Sequence, residues 1–211
     1  MFQKLFNPDN ALMITMSQIT DCIFLSLMWL LCCFPVVTIG ASTAALYDAT
    51  VRAYRKGDKH SWQRFIKVFK ENLKAGILPT VAFLAVFLAG GWLLIRVWNA
   101  AVWGQLSWMV FSAAAFAGLA VLGVLSVMFP VLSRFENSFE NLLKNTFLLA
   151  VANLPRTLGL AFLNACTIYL CVRYIFPLFF LPALAALLGS LFLEPMFRPY
   201  MPADQDKTPR F

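Results

Sequence analysis

The chain has 211 residues, of which 61% are hydrophobic and 13% charged, and its formal net charge is +7. A water-soluble domain needs about a quarter of its residues charged to cover its surface, so the composition excludes one and points to a body that lies in a membrane. The same figures exclude a disordered chain, a collagen-like fibre and a secreted disulfide scaffold.

Residues 1–10 are a short polar start with a turn signal at Asn7, Pro8, Asp9 and Asn10. A cleaved signal peptide is not expected, because Asp21 stands directly before the apolar run 23–31, where a basic region belongs. Residues 22–47 carry no charge. As one helix they would reach about 39 Å, more than the roughly 30 Å hydrocarbon core. Pro35 and Gly40 punctuate that run in the middle, since proline removes a backbone donor and glycine relaxes the helix. Two models follow. One kinked span gives five crossings. A helical hairpin, with spans at about 11–33 and 36–55, gives six crossings with both termini inside, and this is the favoured reading. It immerses Asp21 and Asp48.

Further along, 75–95 reads as a clean span, 97–133 is uncharged and too long for one helix, and the outer loop falls at 99–107 around Gly104 and Gln105. The expected spans are therefore 75–95, 106–132, 157–172 and 174–193, in one transmembrane domain covering 1–194. A polar tail follows at 195–211. The fold class is all-α: a polytopic transmembrane helical bundle with amphipathic interfacial helices on its cytoplasmic side.

Charge placement orients this bundle. Of 17 Lys and Arg, eight lie within 52–74, and a short connection so rich in cations stays in the cytoplasm. The C-terminal tail joins it on that side, whereas Arg96 and Arg173 fall on stretches expected to face outward. The expected location is a bacterial plasma membrane. Nucleic acid is not an expected partner, because the cations flank apolar segments, where attraction to anionic headgroups is worth about 1 kcal/mol each.

Within the basic connection, Trp62, Phe65, Ile66, Phe69 and Leu73 recur at helical spacing and cover an arc of about 100°. Arg64, Lys67, Lys70, Glu71 and Lys74 fill the other side. This predicts a surface helix, lying on the cytoplasmic leaflet or packed on the protein's own cytoplasmic side. A weaker version follows at 134–144, with Phe135 and Phe139 on one face. At an offset of 70 residues Arg64 matches Arg134, Phe65 matches Phe135 and Phe69 matches Phe139, which hints at an internal duplication. Trp62, Arg64, Phe65, Lys67, Phe69, Lys70, Phe135 and Phe139 are the candidate residues for docking a membrane surface or a partner.

Catalytic constellations are missing from the sequence. His60 is the single histidine, the five cysteines contain no C-x-x-C spacing, and there is no glycine-rich phosphate loop. No enzyme, metal or cofactor is expected. Ionisable residues in apolar surroundings default to functional hypotheses. Arg96, Arg173 and Glu194 stand at span ends, where they can snorkel. Asp21, with Ser17 and Gln18 one turn earlier, gives the first helix a polar stripe facing the bundle. It is a candidate intramembrane polar site, or else a structural partner for Arg52, Arg55 or Arg134.

The block Leu30 to Tyr47, L-L-C-C-F-P-V-V-T-I-G-A-S-T-A-A-L-Y, with F-I-K-V-F-K-E-N-L-K from Phe65, R-F-E-N from Arg134 and A-N-L-P-R-T from Ala152, resembles the YesL family of bacterial integral membrane proteins, a domain of unknown function (DUF624). Asp48 departs from that pattern, in which aromatic or apolar residues are usual. The resemblance implies a small multispan protein often encoded near carbohydrate uptake functions, and no reaction. The expected function is that of a non-enzymatic accessory or scaffold protein whose partners are the lipid bilayer and another membrane protein such as a sugar importer. The alternative is a small-solute transporter or channel with Asp21 in its polar pathway.

Overall fold

The computed structural model describes residues 11–56, 60–104, 106–134 and 139–200, with side chains from Ile19 to Tyr54 in the first segment. The described residues contain seven α-helices: α1 (Ala11–Cys32), α2 (Ile39–Lys56), α3 (Ser61–Val102), α4 (Trp108–Arg134), α5 (Phe139–Ala152), α6 (Leu154–Arg173) and α7 (Leu181–Phe197). Among the described residues there is no strand. The turn signal at 7–10 and the tail from 201 on lie outside them.

Each break has a local cause. α1 stops ahead of Pro35, whose ring cannot continue a helix, and the Thr38 hydroxyl lies 2.5 Å from the Cys32 carbonyl and 2.7 Å from that of Pro35. α3 and α4 are joined by a turn in which Gly104 takes the left-handed conformation, φ +70°, at no steric cost. α5 and α6 are separated only at Asn153, where Pro155 occupies the first turn of α6, the position that tolerates a missing N–H.

α2 is the central helix. Ala44, Tyr47 and Val51 face a core shared with α4, α5 and α7, while Ala45, Leu46 and Ala49 face a second core shared with α1 and the start of α3. Its many small residues allow this two-sided burial, because neighbouring backbones can approach closely. At Gly40, a Cβ would sit 2.7 Å from the Phe129 ring and against the Thr80 hydroxyl. That hydroxyl donates to the Gly76 carbonyl (2.6 Å) and accepts the Gly40 N–H (3.0 Å), which supplies a partner for a donor in the first turn of α2. α2 therefore runs antiparallel along the first part of α3. The second part of α3 packs antiparallel on α4, with Phe83 against Phe129 and Trp98 edge-on to Trp108 and Phe111. α6 lies on α4 at Gly123, where a Cβ would come within 2.9 Å of the Thr157 carbonyl.

Four helical stretches are long and apolar enough to cross a membrane: Ser61–Val102, Trp108–Arg134, Leu154–Arg173 and Leu181–Tyr200. They correspond to the four expected spans from residue 75 onward. The apolar part of α1, Ile19–Cys32, is shorter, and α2 does not qualify because Asp48, Arg52, Arg55 and Lys56 fill its second half. The structure thus contains the hairpin of the six-crossing model without making both of its arms greasy.

Two expectations are corrected, and one of two alternatives is chosen. Of the two placements expected for the helix at 61–74, the structure has the one packed on the protein, and this helix continues into the span without a separate start, as one 42-residue helix, about 63 Å long. The last span does not begin at 174, since 174–180 form an irregular connection with a short 3₁₀ turn at Phe176–Phe179, and α7 starts at Leu181. The domain does not end at 194 either. Met196 and Phe197 are fully buried, because α7 carries its apolar face one turn past Glu194.

Candidate functional site

Two consecutive residues of α2, Tyr47 and Asp48, project from the helix about 100° apart and reach different partners. Asp48 is 1% exposed as a side chain and meets two arginines. The Nε of Arg52, one turn on, lies 3.1 Å from both carboxylate oxygens, and the Nε of Arg64 donates to Oδ2 at 2.7 Å. A carboxylate buried alone would cost several kcal/mol. Here it is compensated by two guanidinium groups that each keep about a third of their surface in contact with the surroundings. The result clamps the middle of α2 to the first turn of α3.

Tyr47 works on the other side. Its hydroxyl donates to Glu194 Oε1 on α7 at 3.2 Å, and Arg134 Nη2, in the last turn of α4, donates to the same oxygen at 2.7 Å. The Arg134 guanidinium also lies over the Tyr47 ring, 5.9 Å from its centre, a favourable cation–π placement. Arg134 and Glu194 are both about nine-tenths buried. The Arg134 Nε has no hydrogen-bond partner among the described residues. Three cations and two anions therefore join α2, α3, α4 and α7 through one stretch of α2, leaving a surplus of one positive charge.

The sequence-predicted residues distribute differently. Asp21, on α1, accepts a hydrogen bond from Ser61 Oγ at 3.4 Å, a long contact that ties α1 to the start of α3. Two of its expected partners, Arg52 and Arg134, are engaged by Asp48 and Glu194 instead. The side chains of Ser17, Gln18 and Arg55 lie outside the described ones. Of the docking candidates, Trp62, Lys67 and Lys70 are exposed, whereas Phe65 is 0% exposed and Arg64 is turned towards Asp48. Phe69 and Phe139 are half-buried, and Phe135 lies outside the described residues. Arg64, Phe65 and much of Phe69 are thus removed from the expected docking face. Their physical reason is common: the apolar arc of this helix, extended by Val68, covers the small-residue surface of α2 and α1.

The offset-70 pairs also part company. Arg64 stands near the start of a long helix and Arg134 at the end of another, so that register does not superpose equivalent elements. Close approach at a glycine and a threonine does recur, at Gly40 with Thr80 and at Gly123 with Thr157.

Sequence reasoning passed over Asp48 and Glu194 as sites. Asp48 has an arginine four residues on, the spacing of a helical ion pair. Glu194 is the one acidic residue of an otherwise apolar helix, which in a membrane setting calls for a partner. Among the described residues no group of three or more His, Cys, Asp and Glu is placed to hold a metal, and the five cysteines are free thiols.

An all-helical body with four long apolar helices, tied internally by arginine–carboxylate pairs, defines a multi-pass membrane protein. A family model described as a protein of unknown function, DUF624, matches residues 22–95, from α1 into the span of α3. Comparison with curated proteins and with solved structures gave no match.

Proposed function

We propose that the protein is a non-enzymatic accessory or scaffold protein of a bacterial plasma membrane, with residues 52–74 and the C-terminus on the cytoplasmic side, docking onto another membrane protein such as a sugar importer. One observation carries this reading. Lys67, Lys70 and Lys74 line an exposed edge of α3 on a helix held from behind by Phe65 and Val68 and clamped at Arg64 by Asp48. This is a stiff cationic arm, about 21 Å long, standing beyond the apolar part of its own span. Held rigid, it offers a complementary acidic surface a binding edge that needs little ordering on contact. The resemblance to a family often encoded near carbohydrate uptake functions supports a sugar importer as that partner. Co-expression with neighbouring gene products and purification in mild detergent tests it. The partner co-purifies with the unaltered chain and is lost when Lys67, Lys70 and Lys74 are changed together to Glu; a chain that emerges alone in both cases contradicts the reading.

The transporter alternative, with Asp21 in a polar pathway, draws on the internal cavity between α2, α4, α6 and α7. Asp21 does not line that cavity. Solute flux in vesicles that drops on Asp21→Asn would favour this alternative over the scaffold.

A further inference from the structure

A cavity of about 290 Å³ opens between α6 and α7 and runs inward to α2. Its mouth is formed by Ile168 and Val172, both exposed, with Leu178. Its floor is formed by the buried side chains of Leu46, Tyr47, Leu160 and Leu193. Along α6, Leu160 and Val172 are separated by about 18 Å, so the space is elongated along that helix, from an exposed end at Val172 to a buried one at Leu160.

The hydroxyl groups of its wall, with the Asn164 amide N–H and the Trp29 indole, already donate within the protein. Thr43, Ser126 and Thr167 each donate to the carbonyl four residues back, at Ile39, Leu122 and Leu163. Asn164 does the same to Leu160. Trp29 donates to Thr43, and Tyr47 to Glu194. The volume would take about ten waters at roughly 30 Å³ each, but a water needs two to four polar partners, and aliphatic groups dominate the wall. The mouth, meanwhile, is cut into the apolar surface of two membrane-crossing helices.

We infer that this cleft is a binding site for one acyl chain of a phospholipid from the surrounding bilayer, entering sideways past Val172 and reaching the floor at Leu46 and Leu160. Lipid is the solvent at the mouth, and an apolar chain satisfies a wall whose hydrogen-bonding hydroxyls are turned to their own helices. The site is independent of the docking arm on α3, which lies on other elements.

The full chain is reconstituted in phosphatidylcholine vesicles containing a minor fraction of the same lipid with a diazirine at the end of one acyl chain. After irradiation, adducts are mapped by mass spectrometry. Adducts are expected on the floor, at Leu46, Tyr47 or Leu160, besides those on the outward-facing Leu88 of α3. Changing the cavity-lining Ala186→Phe fills the space a chain needs, so floor adducts fall by about fivefold while those on Leu88 stay unchanged. Where Ala186→Phe does not yield folded protein, Ala186→Val gives the same pattern with a smaller fall. Labelling of Leu88 with an unlabelled floor would overturn the inference. So would floor labelling that neither substitution reduces, or a water-soluble diazirine reaching the floor as readily as the lipid.

Discussion

The first half of α3 and its second half are one helix in two different situations. From Ser61 to Thr80 one face is packed on the protein, with Phe65, Val68, Gly76, Pro79 and Thr80 buried and Arg64 ion-paired. From Val81 outward it turns large apolar side chains such as Leu88 and Trp92 away from the protein, and only 11% of its most apolar stretch is buried, against 44% in α7. The contrast shows two means of stabilising one element. On the embedded side, tertiary packing and arginine–carboxylate pairs fix the helix. On the outward side, the bilayer accepts the side chains, and the backbone is satisfied within the helix.

The comparison can be broken most strongly at Asp48. Asp48→Ala leaves Arg52 and Arg64 facing each other without their anion, and breaking a buried pair in this way costs about 3–5 kcal/mol. The measurement is reversible unfolding in mixed micelles, and a loss below about 1 kcal/mol would mean that solvent already neutralises the pair. Glu194→Gln should follow, at about 2 kcal/mol, since it keeps the shape but removes the charge that Arg134 needs. Changing Arg134→Met in the same chain should return part of that loss, because a cation without an anion is no longer buried. Tyr47→Phe removes a single neutral donor to Glu194 and should cost about 1 kcal/mol by the same assay. On the outward side Leu88→Ala should change stability by less than about 0.5 kcal/mol, because a side chain facing lipid in the folded helix leaves no cavity when shortened.

How much of this was legible beforehand follows the same division. Long apolar runs are visible to hydropathy because lipid imposes one rule on every residue that meets it, and α4, α6 and the outer part of α3 coincide with such runs, although α3 continues to Val102, seven residues past the expected end at 95. The embedded elements are governed by neighbours instead. The arc through Trp62, Phe65 and Phe69 is correct as a pattern, but periodicity does not say whether lipid or protein covers it. α2 covers it, and α3 continues without a break from the covered arc into the span even though Pro79 leaves the Ala75 carbonyl without its helical donor. Asp48 and Glu194 read in the sequence as an oddity and a span-end charge because, Arg52 apart, their partners come from other helices, 16 residues away for Arg64 and 60 for Arg134. Asp21 drew attention by its isolation in the sequence, yet its described contact is one long hydrogen bond.

The continuity of α3 decides whether the cationic arm is stiff, and one distance tests it. Spin labels are placed at the exposed positions Trp62→Cys and Trp98→Cys, with the five native cysteines replaced by Ala or Ser, and their separation is measured by pulsed electron resonance in a reconstituted bilayer. Thirty-six residues of unbroken helix predict about 54 Å, or a few ångströms less for a bend at Pro79. A helix that broke near Lys74 and lay flat along the leaflet would bring the labels to about 40 Å, and that result would contradict the account.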